Sequence, residues 1–229
     1  MQKQLDILLK KYAPSCAAEW VSDECVKADG KCLPLLPWRY QRRFTEMRGL
    51  VTEGALEGVS VMRTLRIVHK GDDLPAQLYR ELDLCQFILN SKICEVFAIG
   101  DAKQAINVIA KTADGYICTL EMAATLGADA AYIDKHEIIA AAGVACDRAV
   151  DTQVPQSSVY VFGKDGDTAY TDVDAELYGL DAEQAAAVRA AFDTARNGID
   201  LSEEVRGLKA LLSAVEKSLE TTENVLVEG

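Results

Sequence analysis

The 229-residue sequence has no Cys-x-x-Cys pair, no Gly-x-Gly-x-x-Gly turn and only two histidines. Nor does any apolar run approach the roughly 20 residues that a membrane helix needs. Each absence removes a class of function. Without the glycine turn there is no cradle for the pyrophosphate of a dinucleotide. Without paired thiols the common zinc-ribbon frameworks are excluded. The two histidines, His69 and His136, fall at the end of one expected strand and the start of another, where an edge or surface position is expected for each. No Ser-His-Asp arrangement is readable. Positive charge is also scarce: the formal net charge of −12 sets the chain against nucleic acid and anionic membranes as partners.

Seven cysteines are present. The first residues, Met1-Gln2-Lys3-Gln4-Leu5-Asp6, lack the basic-then-apolar pattern of a secretory leader, so a cytoplasmic protein with reduced, buried thiols is expected. Cys16, Cys25 and Cys32 share one segment, but as a zinc site they lack a fourth ligand and the usual spacing.

The hydrophobic pattern divides the chain in order. Leu5, Leu8, Leu9 and Tyr12 share one helical face, which Pro14 ends. Residues 16–37 read as irregular, with Asp29-Gly30 as a turn. A helix from about Tyr40 presents Phe44, Met47, Leu50 and Val51, and Gly54 and Gly58 bracket its end. The period then becomes two: Val59, Val61, Leu65 and Ile67 share one parity of a strand over 59–69. Pro75 opens a helix carrying Leu78, Leu82, Cys85 and Leu89. Strands are expected over 93–99, 105–112, 116–123, 137–141 and 157–162, with turns at Asp114-Gly115 and Lys164–Asp167 and a polar loop over 153–158. Two helices close the chain, with capping boxes at Asp181/Gln184 and Asp200/Glu203. The last shows Val205, Leu208, Leu212, Val215 and Leu219 on one side. This order predicts an α+β fold: a largely antiparallel open sheet with helices packed on one face. A sheet covered on one side leaves an apolar face that a partner usually buries, so a dimer or higher oligomer is expected.

Three stretches resemble the C-terminal domain of the Gfo/Idh/MocA oxidoreductases. Pro37-Trp38-Arg39-Tyr40-Gln41-Arg42-Arg43-Phe44 with Gly54-Ala55-Leu56-Glu57-Gly58-Val59 is similar to the family's Arg-Phe helix and its entry into the first sheet strand. Arg80–Leu89, running into Glu95-Val96-Phe97-Ala98, is similar to the helix that begins with the family's acid/base histidine. Ile138–Ala145 is similar to the strand pair that closes the sheet, and 208–221 to the last helix. The resemblance implies a division into a helical and irregular segment over 1–36 and a family-like domain over 37–229. It places Arg80 at the histidine, Ala76 at a common aspartate and Asp83 at the one matching carboxylate. The catalytic Glu-Lys-Pro motif has no counterpart, and the segment from Lys70 to Leu78 is shorter than the family's loop.

An arginine stays protonated and cannot exchange a proton near neutral pH. The resemblance therefore implies a non-catalytic or accessory protein that carries no nicotinamide cofactor or metal. Its expected partners are a second copy of itself or a full-length oxidoreductase of the family. The alternative is a binder of a sugar acid or sugar phosphate, or an enzyme, with a remodelled site at Arg39, Arg42, Arg43, Arg80 and Asp83, since guanidiniums hold carboxylates bidentately. The plain reading of the arginines is a solvated helix entry. A third expectation is the substrate half of a split dehydrogenase.

Overall fold

The computed structural model describes residues 1–149, 158–164, 166–174 and 178–227. Its centre is a nine-stranded sheet. In chain order the strands are β4 (Val59–His69), β5 (Ile93–Asp101), β6 (Ala105–Thr112), β7 (Ile117–Leu126), β8 (Ile133–Ala140), β9 (Gly143–Cys146), β10 (Ser158–Gly163), β11 (Gly166–Thr171) and β12 (Val225–Leu226). Across the sheet they run β11-β10-β9-β8-β4-β7-β6-β5-β12. Among the described residues, only β4 and β7 pair in parallel. The chain between them runs through α3 (Leu74–Leu89), which packs back on both strands, and then through β5 and β6 before it reaches β7. With α2 (Arg42–Thr52) and α5 (Ser202–Thr221), α3 covers one face of the sheet. This is the expected α+β architecture.

Three local expectations are corrected. Residues 16–37 are not irregular. They form a three-stranded antiparallel sheet of β1 (Ala18–Ser22), β2 (Cys25–Ala28) and β3 (Lys31–Pro34). Asp29 and Gly30 both have positive φ, 48° and 78°, so the Asp-Gly turn is the two-residue connection of the β2–β3 hairpin. The thiols are not all reduced and buried: Cys25 and Cys32 form a disulfide across this hairpin, and Cys32 is exposed. Two members of the zinc trio are thereby occupied by each other, while Cys85, Cys118 and Cys146 are buried as expected. Finally, Asp181 and Gln184 complete a capping box at α4 (Ala182–Asn197), but Asp200 and Glu203 do not at α5. Leu201 holds the cap position there, and the Asp200 carboxylate instead accepts from the Ser202 amide and hydroxyl. The turn residue Asp165 and the polar loop over 153–157 lie outside the described residues.

The N-terminal elements do not join the main core. Leu5 and Leu9 of α1 (Gln2–Tyr12), Val26 of β2 and Leu35 pack against Ala190 and Ala191 of α4 in a separate apolar cluster. Gly143 is fixed by space: a Cβ there would lie 2.2 Å from the Phe162 carbonyl oxygen.

The two faces of β4 are unusual. Its inward residues are Met62, Thr64, Arg66 and Val68, all buried. The apolar parity of Val61, Leu65 and Ile67 points to the open face. That face continues through Ile117 of β7, Ile109 of β6, Phe97 and Ile99 of β5 and Ile139 of β8. Ile99 and Ile109 remain 50 % and 48 % exposed. The open face thus mixes these apolar side chains with Arg63, Glu121, Lys135 and Glu137, and the inward face, apolar at Met62, Leu120, Met122 and Ile138, is charged around Arg66.

Candidate functional site

Strand register assembles the charged interior. Arg66 pairs across the β4–β8 ladder with Asp134, and Thr64 with His136. Because side chains alternate, all four project toward the helices. From the helix side, α3 contributes Arg80 and Glu81 and α2 contributes Arg43 at its first turn, while Asp147 follows β9. One oxygen of Asp134, Oδ2, receives three guanidiniums: Arg43 at 2.6 Å, Arg66 at 3.1 Å and Arg80 at 3.5 Å. Arg80 also pairs with its chain neighbour Glu81. Arg43 reaches Asp147 at 2.8 Å.

His136 sits at the centre, fully buried in the middle of β8, not at the surface or an edge. Its Nδ1 is 2.6 Å from Asp147 Oδ2 and its Nε2 is 2.8 Å from Glu81 Oε2. The Asp147 carboxylate also accepts the His136 backbone N–H at 2.7 Å. Phe44 closes the site edge-on, 4.7 Å from the imidazole centroid. Burial opposes charge on the imidazole, but Asp147, Glu81 and Asp134 outweigh it and push the pKa up to about 9. Burial likewise penalises the Glu81 and Asp134 carboxylates, yet Arg80 and His136 hold the first below its usual value, and Arg43, Arg80, His136 and Arg66 hold the second well below. The ligand atoms of Glu81, Asp134 and His136 lie within 4.8 Å of one another. With three guanidiniums on the same carboxylate, a metal cation there would meet repulsion, not a prepared site.

The residues expected at a ligand site divide three ways. Arg43 and Arg80 join the buried network. Arg39 and Asp83 form a separate pair: the buried Asp83 accepts from Arg39 Nε at 2.8 Å, Arg39 Nη2 at 2.5 Å and the Trp38 indole at 2.6 Å, tying the 3-10 turn Pro37–Tyr40 to α3. Arg42 lies outside both, paired on the helix surface with Glu46. Sequence reasoning missed Arg66, Asp134, His136 and Asp147. His136 and Asp147 belong to no motif of recognisable spacing, and Arg66 reads as the polar face of a strand.

A groove of about 660 Å³ opens onto this network. Arg66, Arg80, Gln41 and Gln77 reach it from below. Leu35, Leu36, Trp38, Tyr79, Val205 and Leu212 form much of its wall, and Asp23, Glu24, Asp73 and Glu183 lie around it. The N-terminal sheet, α3, α4 and α5 all contribute, so the groove depends on packing that no single sequence motif announces.

No protein-family model matches the sequence, and no curated protein matches it. Solved structures do match in fold. A levoglucosan dehydrogenase in complex with NADH and levoglucosan superposes with a TM-score of 0.66 at 13 % identity, covering 84 % of this chain and 65 % of that one. The oxidoreductase domain protein from Kribbella flavida gives 0.66 at 14 % identity, covering 85 % and 66 %. The scyllo-inositol dehydrogenase from Lactobacillus casei, with bound NAD(H) and scyllo-inositol, gives 0.60 at 16 % identity, covering 84 % and 63 %. The chain therefore has the fold of the C-terminal domain of Gfo/Idh/MocA-type oxidoreductases and spans 63–66 % of the length of these three structures.

Proposed function

We propose that this chain is a non-catalytic, oligomerising protein related to the sugar and polyol oxidoreductases, and that it pairs through the open face of its large sheet with a second copy of itself or with a full-length oxidoreductase of the same fold. The observation that carries this reading is the outward apolar parity of β4, extended by Ile109 and Ile99, at about half exposure. A solitary soluble sheet would put that parity inward. The loss of chemistry follows from the groove floor. At the position where the resemblance places the acid/base histidine, the groove has the Arg80 guanidinium, which does not exchange protons near neutral pH, and the imidazole of the network, His136, is sealed between two carboxylates.

Specific interfaces bury on the order of 1,200–2,000 Å². Sedimentation velocity at low micromolar concentration is expected to give a dimer or larger species. The double variant Leu65→Glu, Ile109→Glu places two carboxylates on the face and is expected to shift the species to monomer with the circular dichroism spectrum unchanged. A wild-type protein that stays monomeric while cooperatively folded overturns pairing with a second copy.

A second reading rests on the groove itself. Its volume is that of a small-molecule pocket, and it meets buried cations. Neighbours of this fold hold a sugar or inositol beside NAD(H). On this reading the chain retains ligand binding without hydride transfer, alone or as the substrate half of a split enzyme.

A further inference from the structure

We infer that the groove takes the carboxylate head of an amphipathic small molecule, with the head on a floor made only of hydrogen-bond donors and the apolar body along the Trp38, Tyr79, Val205 and Leu212 wall. This deepens the reading of the groove as a binding site and depends on it.

The floor is built by the arginines. A guanidinium donates and never accepts, so it turns the oxygen of any neighbouring amide toward itself. Arg43 Nε takes Gln41 Oε1 at 3.0 Å, and Arg66 Nε takes Gln77 Oε1 at 2.6 Å. Each amide therefore keeps only its NH₂ group for the groove, and neither NH₂ has a protein acceptor among the described residues. Gln41 is only 6 % exposed, and it lines the groove, where its free donor meets solvent. Arg66 and Arg80 add further N–H donors beyond those bonded to Gln77, Asp134 and Glu81. Four donor side chains, with both amide oxygens taken by guanidiniums, recognise an acceptor-only group, which is what an ionised carboxylate is.

Charge points the same way. The network joins four cations, Arg43, Arg66, Arg80 and protonated His136, to three anions, Glu81, Asp134 and Asp147. One more anion balances it. A phosphate dianion fits less well, because Asp23, Glu24, Asp73 and Glu183 also line the groove and outnumber Lys209, the one further cation of the lining, so a second negative charge is repelled. The wall selects the rest of the ligand. Leu35, Leu36, Val205 and Leu212 offer no partners for the hydroxyls of a sugar, whereas the Trp38 and Tyr79 rings, edge to face with centroids 6.0 Å apart, suit an apolar or aromatic body.

Titration calorimetry with the full chain tests this using 3-phenylpropionate, its uncharged amide 3-phenylpropionamide, phenyl phosphate and gluconate. The expected order is 3-phenylpropionate tightest, with the amide and phenyl phosphate each at least tenfold weaker and gluconate weaker still. Gln77→Glu keeps the shape and the contact to Arg66 but puts a carboxylate on the floor. It is expected to weaken 3-phenylpropionate at least tenfold and leave the amide within twofold, with the melting temperature unchanged. Arg80→Lys serves as the second variant and is expected to act in the same direction. If gluconate or phenyl phosphate binds tightest and Gln77→Glu weakens it, the groove is a ligand site but its ligand is not the one inferred. If none of the four binds, or if binding is indifferent to both variants, the groove-binding reading falls with the inference.

Discussion

Replacing His136 with leucine is expected to lower the unfolding free energy at pH 7 by about 3–5 kcal/mol, the range for breaking a buried ion pair from one side. The loss has two parts. Leucine removes the cation that lies between Asp147 and Glu81, at 2.6 and 2.8 Å. It also leaves both carboxylates, each fully shielded from water, with one partner fewer. What remains does not replace it: Asp147 keeps Arg43 and the backbone N–H, and Glu81 keeps Arg80. Packing does not offset the loss, because leucine is close in volume to imidazole and Phe44 retains a neighbour. Urea unfolding followed by fluorescence measures the difference. A change under about 1 kcal/mol, in the range of an exposed pair, would show that the imidazole is not a member of the charged network. The companion variant Arg42→Ala removes only a surface pair at the neighbouring position and is expected to change stability by less than about 1 kcal/mol.

The contrast between Arg42 and Arg43 shows where the sequence was legible. Helix and strand positions follow from periodicity, and β4 and β6 begin and end where the alternation does. The helix α3 starts at Asp73-Leu74-Pro75, where Asp73 accepts the Ala76 amide and the fixed φ of Pro75 suits a first turn. Periodicity reports which residues alternate but not which side is buried. In β4 the apolar parity lies on the open face, and Thr64 and Arg66 lie inside. A charged inward face has the sequence pattern of a solvated one, so Arg66, Asp134 and His136 could not be told from surface residues until the β4–β8 register placed them opposite α3. The same holds within the basic cluster: Arg42 and Arg43 are adjacent, and only the turn of α2 sends one to solvent and the other to Asp134 and Asp147. The small sheet β1–β3 escaped for a different reason. Its strands are four or five residues long and mix polar with apolar side chains, so only the Asp29-Gly30 turn stood out.

Stability is expected to depend on pH in a window that His136 sets. In the unfolded chain its imidazole titrates near 6.5, and in the folded protein near 9. A raised folded-state value means that the native protein binds the proton more tightly. The contribution is therefore complete below about pH 6.5 and is lost as pH rises through 9. The full size, on the order of 3 kcal/mol, is the upper bound for an isolated group with that displacement. Asp134 and Glu81 act in the opposite sense. Their folded values are depressed, so their contribution is present at neutral pH and is lost as pH falls below the ordinary carboxylate range. Denaturant unfolding between pH 5 and 10 is thus expected to show a plateau from about pH 5 to 6.5 and a fall toward pH 9. The His136→Leu variant identifies the source. Its profile is expected to start lower and to run flat between pH 6.5 and 9, because the group that releases the proton is gone. A wild-type profile that is flat across that interval, or a variant that keeps the wild-type slope, would place the titrating group elsewhere and leave His136 neutral between its two carboxylates.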